Sequence, residues 1–208
     1  TTVAAMLDRI NSERQGHIVT IEDPIEYVHP HKNCLVSQRQ VYSDTASFKE
    51  AIKYVLRQDP DVVFIGEIRD QETIETSLTI SETGHLSIAT LHTNNCPQTI
   101  NRILDYFPSS QQKQVLGQLS LTLIGILSQL LLPRKDGPGR VMALEILIPS
   151  PGIQNLIREG KIHNIYSMMI MERVKFGSQT MNQSLQNLYL EGSIDYQEAI
   201  GISPLPEE

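Results

Sequence analysis

The sequence has no tryptophan, two cysteines in 208 residues, and only 5% aromatic side chains. Cys34 and Cys96 lie far apart and are too few for a metal tetrad. One bridge would add little to a chain of this size, so both read as reduced thiols of a cytosolic protein. Basic residues are also scarce: 17 Lys and Arg stand against 24 Asp and Glu, a net charge of −7. Nucleic-acid binders normally carry a basic footprint, so no nucleic-acid partner is expected. Long apolar runs are missing too. The most apolar stretch, residues 119–132, is interrupted by Ser120, Thr122, Gly125, Ser128 and Gln129 and is too short to span a bilayer. No small-residue cleavage site follows the amphipathic start around Arg9, which argues against a secretory signal. What remains is ordinary globular composition, 40% hydrophobic and 20% charged, with enough chain for an unstapled core.

Periodicity supplies the order of elements. Val3, Met6, Leu7 and Ile10 repeat at helical spacing over 2–13, and Gly16 is read as the residue that stops this helix. The β-branched run 17–21 predicts a buried strand. Residues 24–45 read as a loop with a short strand near Leu35 and Val36, and 47–56 as a helix. The continuous apolar run 61–68 has the look of a strand buried on both faces of a parallel sheet. A helix over 71–82, a strand over 86–91 and helices over 97–105 and 110–125 follow. Strands at 127–132 and 141–148 flank the turn-rich 134–139, the pattern of an antiparallel hairpin. Helix and strand alternate as in βαβ units. Beyond 149 only helices are predicted, at 151–158, 161–171, 180–190 and 195–200. The expected architecture is an α/β core over 1–148 with a helical module over 149–208.

Three predicted strands carry polar groups at or beyond their carboxyl ends, where ligands bind in open α/β sheets. The first ends in Glu22, Asp23 and Glu26, the second in Gly66, Glu67, Arg69 and Asp70, and the third in His92 and Thr93, with His85 just before it. Taken singly, each is ordinary. Glu67 reads as a strand-ending surface acid, Glu22-Asp23-Pro24 as a turn, and Gly84-His85 as a helix cap with a half-buried His. His17, His29, His31 and His163 show no metal-ligand spacing. Together the strand ends form a constellation suited to phosphoryl transfer, which needs positioning and charge neutralisation. Glu67 stands where a nucleotide hydrolase places a Walker B acid near magnesium. Glu22 is placed to orient or deprotonate a water, His85 and His92 to contact a γ-phosphate, and Arg69 and Arg102 to neutralise charge.

Residues 56–70 (LRQDPDVVFIGEIRD) resemble the signature of the secretion-superfamily ATPases of type II secretion and type IV pili. Residues 20–26 (TIEDPIE) resemble that family's Asp box, and 83–86 (TGHL) with 90–93 (TLHT) its His box. The first six residues, TTVAAM, are similar to the stretch that follows its Walker A lysine and serine. Within the superfamily the resemblance runs to the pilus retraction, or twitching motility, ATPases. No Cys lies in 101–133, where assembly and type II secretion enzymes carry a four-cysteine zinc insertion. Residues 152–159 (GIQNLIRE) resemble a retraction motif, with Gly152 and Gln154 replacing its Ala and first Arg.

The resemblance implies a RecA-like P-loop NTPase core with a mostly parallel sheet, binding ATP and Mg2+. It implies catalytic roles for Glu22, Glu67, His85, His92 and Arg69, with Glu67 acting near Mg2+ through water. Nucleotide contacts are implied for Thr1, Thr2, Asp23, Glu26, Gly66 and Thr93, and a part in retraction for Asn155, Leu156, Ile157, Arg158 and Glu159. A homo-hexamer is implied, cytoplasmic and peripheral to the inner membrane, working with the platform protein and the rest of the pilus machine. Which glutamate is the base stays open, as do an assembly or secretion role and a non-catalytic interaction role. The phosphate-binding motif G-x-x-x-x-G-K followed by Ser or Thr is not in the sequence, whose Gly160-Lys161 is followed by Ile162. The expectation is therefore a motor-domain fragment, inactive alone, with that loop encoded just upstream of Thr1.

Overall fold

The computed structural model describes residues 1–204. The chain forms two compact units, Thr1–His92 and Thr93–Glu208.

The first unit opens with α1 (Thr2–Glu13), which buries Leu7 and Asn11. The helix stops at Arg14, whose backbone is extended. Gly16 does not cap it, contrary to the expectation, but opens β1 (Gly16–Glu22). A Cβ at Gly16 would stand 2.5 Å from Asp61 Oδ2, the atom that accepts the His17 N–H. The glycine is there for close approach. The segment expected to be mostly loop contains a full strand, β2 (Cys34–Gln40), paired with β1 along its whole length. Its outer residues are only partly buried, so no apolar run announces it. Asn11 fixes the way in: its amide donates to Pro30 O at 2.7 Å, and its oxygen accepts from Lys32 N and Cys34 N, each at 3.2 Å.

A short α2 (Phe48–Lys53) and a 3-10 turn (Val55–Gln58) lead to β3 (Val62–Ile65). Then come α3 (Gln71–Glu82) and β4 (Leu86–Ala89). All four strands are parallel, in the order β2-β1-β3-β4. Alternation along the strands makes two cores. Ile18, Val36, Val62 and Phe64 pack on Leu7 of α1. Val19, Ile21, Val63 and Ile65 pack on the opposite side with Ile52 of α2 and Ile80 of α3. Buried on both faces, β3 is apolar throughout, and β1 is β-branched from Ile18 to Ile21, with Thr20 its one polar residue there.

The second unit holds α4 (Cys96–Asp105) and α5 (Ser109–Thr122), then the hairpin of β5 (Ile126–Pro133) and β6 (Arg140–Leu147). The hairpin is antiparallel, as expected, with Ile126 opposite Leu147 and Pro133 opposite Arg140. Helices α6 (Pro151–Arg158), α7 (Ile165–Phe176), α8 (Met181–Leu190) and α9 (Tyr196–Ile202) follow. Helix α8 covers one hairpin face, where Leu132 and Ala143 meet Met181, Leu185 and Leu188. The helical segment after 149 thus shares a core with the hairpin before it. Glu145 of β6 is buried and accepts the Cys96 N–H at 2.6 Å, so a carboxylate meets the amino end of α4.

Candidate functional site

The α1-facing side of β1 changes character along its length, from Ile18 through Thr20 to Glu22. Its register partners on β2 change with it, from Val36 through Gln38 to Gln40. The carboxyl edge of this sheet is therefore polar by sequence. Glu22 is 8% exposed. Its Oε1 accepts from Thr20 Oγ1 at 2.6 Å and from Gln38 Nε2 at 3.1 Å. The same Gln38 nitrogen donates to Tyr27 O at 2.9 Å, and Gln38 Oε1 accepts from His29 N at 2.7 Å. The Tyr27 hydroxyl lies 2.8 Å from Thr1 Oγ1. Thr1 is the N-cap of α1 and Thr2 its first residue, so the start of α1 and Glu22 share this edge.

The neighbouring strand supplies the second acid. Gly66 follows β3 and lies against β1: its N–H donates to Ile21 O at 2.8 Å, and its carbonyl accepts from Thr90 Oγ1. With Ile68 N on Thr90 O at 3.0 Å, these bonds keep the β3 and β4 exits side by side. That places Glu67 Oε1 3.2 Å from His92 Nε2. Glu67 Oε2 takes two donors from Arg69, Nη2 at 2.7 Å and Nε at 2.8 Å. Arg69 Nη1 reaches Asp23 Oδ2 at 3.3 Å, bridging the exits of β1 and β3. Arg69, by its hydrogen bond and then its charge, holds the Glu67 carboxyl below the ordinary carboxylate range; desolvation opposes this and the His92 ring assists. The acids push the Arg69 guanidinium upward in return.

Glu22, Asp23, Gly66, Glu67, Arg69 and His92 thus gather at one sheet edge. His85 does not join them. It precedes β4 at the other edge, with Nδ1 2.9 Å from Thr83 Oγ1, and the four residues of β4 alone separate the two edges by roughly 13 Å. Gly84 before it has φ 93°, a left-handed helix end. Asp70 caps α3 by accepting from Thr73 N at 2.8 Å, which sets the direction of the chain after Arg69. Glu26 is exposed. In the second unit, Thr93 Oγ1 lies 2.7 Å from Thr99 Oγ1, and Arg102 lies over the Tyr106 ring, 5.1 Å from its centroid. The 155–159 segment ends α6. Ile157 is buried, Leu156 half-buried, Asn155 donates to Glu159 Oε1 at 3.0 Å, and Arg158 Nε approaches Ser120 Oγ at 3.4 Å. Thr20, Gln38 and Tyr27 were not anticipated from the sequence. Thr20 had a signal, sharing a face with Glu22 two residues on; Gln38 is found only through strand register.

Among the described residues no group of three His, Cys, Asp or Glu side chains could hold a metal ion. Magnesium commonly binds through one or two carboxylates together with substrate phosphates and retained waters. Glu67 with Asp23 fits that mode and does not make a cage of its own.

The type II/IV secretion system protein family matches residues 1–173. A type IV pilus retraction ATPase, PilT, of Pseudomonas aeruginosa is 47% identical over 207 residues, covering 100% of this chain and 60% of that protein. A twitching motility protein of Neisseria gonorrhoeae is 48% identical over 194 residues, covering 93% and 52%. A crystal structure described as the pilus retraction motor PilT with bound ADP superposes with a TM-score of 0.92 at 53% identity, covering 100% of this chain and 58% of that one. The chain spans little more than half the length of these relatives. Its parallel sheet and the match over residues 1–173 establish that it belongs to the type II/IV secretion system protein family.

Proposed function

We propose that this chain is part of an ATPase motor that powers type IV pilus retraction. The observation that supports this reading best is the edge of the parallel sheet. There a nearly buried carboxylate, Glu22, stands beside a second acid, Glu67, already charge-paired with Arg69 and within 3.2 Å of His92 Nε2. Glu22 is the base: its Oε2, which takes no donor among the described residues, receives the proton of the attacking water. Glu67 would hold Mg2+ through water, and the ion would supply neutralisation of developing phosphate charge. Arg69 ties Glu67 and Asp23 together and, by its hydrogen bond and charge, favours the ionised form of Glu67. His92, 88% exposed at its side chain, is assigned to the γ-phosphate. Gly66, Thr1, Thr2, Glu26 and Thr93 are assigned to nucleotide contact, and His85 to a contact between subunits.

The working form is a homo-hexamer at the cytoplasmic face of the inner membrane, engaged with the pilus platform. Among the described residues no helix is long and apolar enough to cross a membrane, which suits peripheral attachment. Residues 1–148 are assigned to the motor core. Residues 149–208, of which 205–208 lie outside the described residues, are assigned to a module whose described part is helical and in which Asn155, Arg158 and Glu159 present the retraction motif.

The test combines enzymology and genetics. Glu22→Gln, introduced at the chromosomal locus, should lower phosphate release by the protein as the cell makes it by roughly 10²–10⁴-fold. The same cells should lose twitching while carrying excess surface pili. Turnover that survives Glu22→Gln but vanishes in Glu67→Gln would assign the base to Glu67 instead. Loss of surface pili altogether would indicate assembly rather than retraction.

A further inference from the structure

We propose that Thr20 and Gln38 are positioning residues that grip Glu22 by one oxygen and thereby aim the other at the attacking water. The proposal rests on the reading of Glu22 as the base. Both donors converge on Oε1, from Thr20 Oγ1 at 2.6 Å and Gln38 Nε2 at 3.1 Å, and Oε2 takes none among the described residues. A carboxylate held at one oxygen cannot rotate to exchange its oxygens without breaking both bonds, so proton acceptance falls to a single fixed atom.

The clamp is itself fixed. Thr20 is fully buried in the central strand β1, with a rotamer limited by β-branching. Gln38 is opposite Thr20 in the β1–β2 register. Its donors are fully used: the two nitrogen-bound hydrogens go to Glu22 Oε1 and Tyr27 O, and its oxygen accepts the His29 N–H. A flipped amide would set oxygen against two acceptors, so the network admits one orientation. The backbone at 27–29 is thereby held by the group that orients the base. A base misplaced by even about 1 Å can cost roughly 10²-fold in rate, which is the reason to fix it with two donors.

The test uses Thr20→Val, Thr20→Ser, Gln38→Met and Glu22→Gln, singly and combined, in the protein as the cell makes it. Thr20→Val keeps the shape of a buried side chain and removes only the donor. Thr20→Val and Gln38→Met should each lower kcat about tenfold with KM for ATP changed less than twofold, and Thr20→Ser should recover most of the loss. In the Glu22→Gln background neither substitution should lower kcat further, because residues acting as a unit are non-additive. Equal losses in both backgrounds would assign the pair a purely structural role and overturn the proposal. So would undiminished kcat in both single variants while Glu22→Gln is inactive. If Glu22→Gln itself retained turnover, the assignment of the base would fall and the clamp with it, a pattern distinct from the other two. If the Thr20→Val protein did not fold, Gln38→Met, on the partly exposed edge strand, would decide the question by the same comparison.

Discussion

Gly66 joins the two acids mechanically, and Gly66→Ala measures how rigid that joint is. A Cβ at this position would lie 3.1 Å from Ile21 O and 3.2 Å from Glu22 Cα, short of ordinary contact at 3.4 Å by a few tenths of an ångström. Both neighbours are backbone atoms of β1, Ile21 paired on both sides and Glu22 with Gln40 of β2, so neither yields as a flexible side chain would. Gly66 cannot retreat freely either. Its N–H is bonded to Ile21 O at 2.8 Å and its carbonyl to Thr90 Oγ1. Overpacking of this kind costs about 1–3 kcal/mol. Restricting the unfolded chain returns about 0.4–1 kcal/mol. A net loss of about 1–2 kcal/mol is expected, read by urea unfolding of the 208-residue chain. Because the methyl group pushes on the Cα of Glu22, a few tenths of an ångström of displacement should also lower turnover by roughly threefold to tenfold, scaled from the cost of larger misplacements. Gly117→Ala is the control. It sits within α5 with nothing within 4 Å of an added Cβ, and should gain about 0.5–1 kcal/mol. If Gly66→Ala behaved like Gly117→Ala, the close packing of the two strand exits would be refuted.

Asn11→Ala should destabilise the chain by about 2–3 kcal/mol in urea unfolding, since it strips partners from Pro30 O and from the Lys32 and Cys34 amides; a loss under 0.5 kcal/mol would show that the 30–34 backbone finds other partners. Both cysteines should resist a thiol reagent at pH 8 in the native protein and react at once in denaturant. Burial raises the Cys96 thiol far above its ordinary 9.0, and Glu145 raises it further; burial likewise raises Cys34. A thiol raised on folding binds its proton more firmly in the native state than in the unfolded one. Its contribution to stability is therefore complete below pH 9 and declines as pH rises above it. Unfolding midpoints followed from pH 8 to 10.5 should fall for the native protein and fall less for Cys96→Ala.

How much was legible follows from what each feature depends on. The strand β3 is legible because burial on both faces demands a continuous apolar run, β1 because its residues 18–21 are all β-branched, and α3 because its cap and spacing are local. β2 is harder to read: at the edge of the sheet only Cys34 and Val36 are buried, and its sequence is accordingly mixed. Gly16 misled for a related reason. A glycine after a helix suggests a cap, but here a carboxylate 44 residues after His17 occupies the space a side chain would need.

The sequence by itself determined which strands end in acids, because an apolar run that stops at Gly66-Glu67 or Ile21-Glu22 is a local fact of composition and period. It also determined the family, through long uninterrupted motifs. Tertiary structure alone decided which of those ends meet. Parallel pairing puts every strand exit on one edge and every entry on the other, so His92 joins Glu67 while His85 is left a strand length away. It decided that one arginine serves two acids from different strands. And it brought Gln38 to Glu22, because a hydrogen bond between residues sixteen apart exists only once β1 and β2 have settled their register.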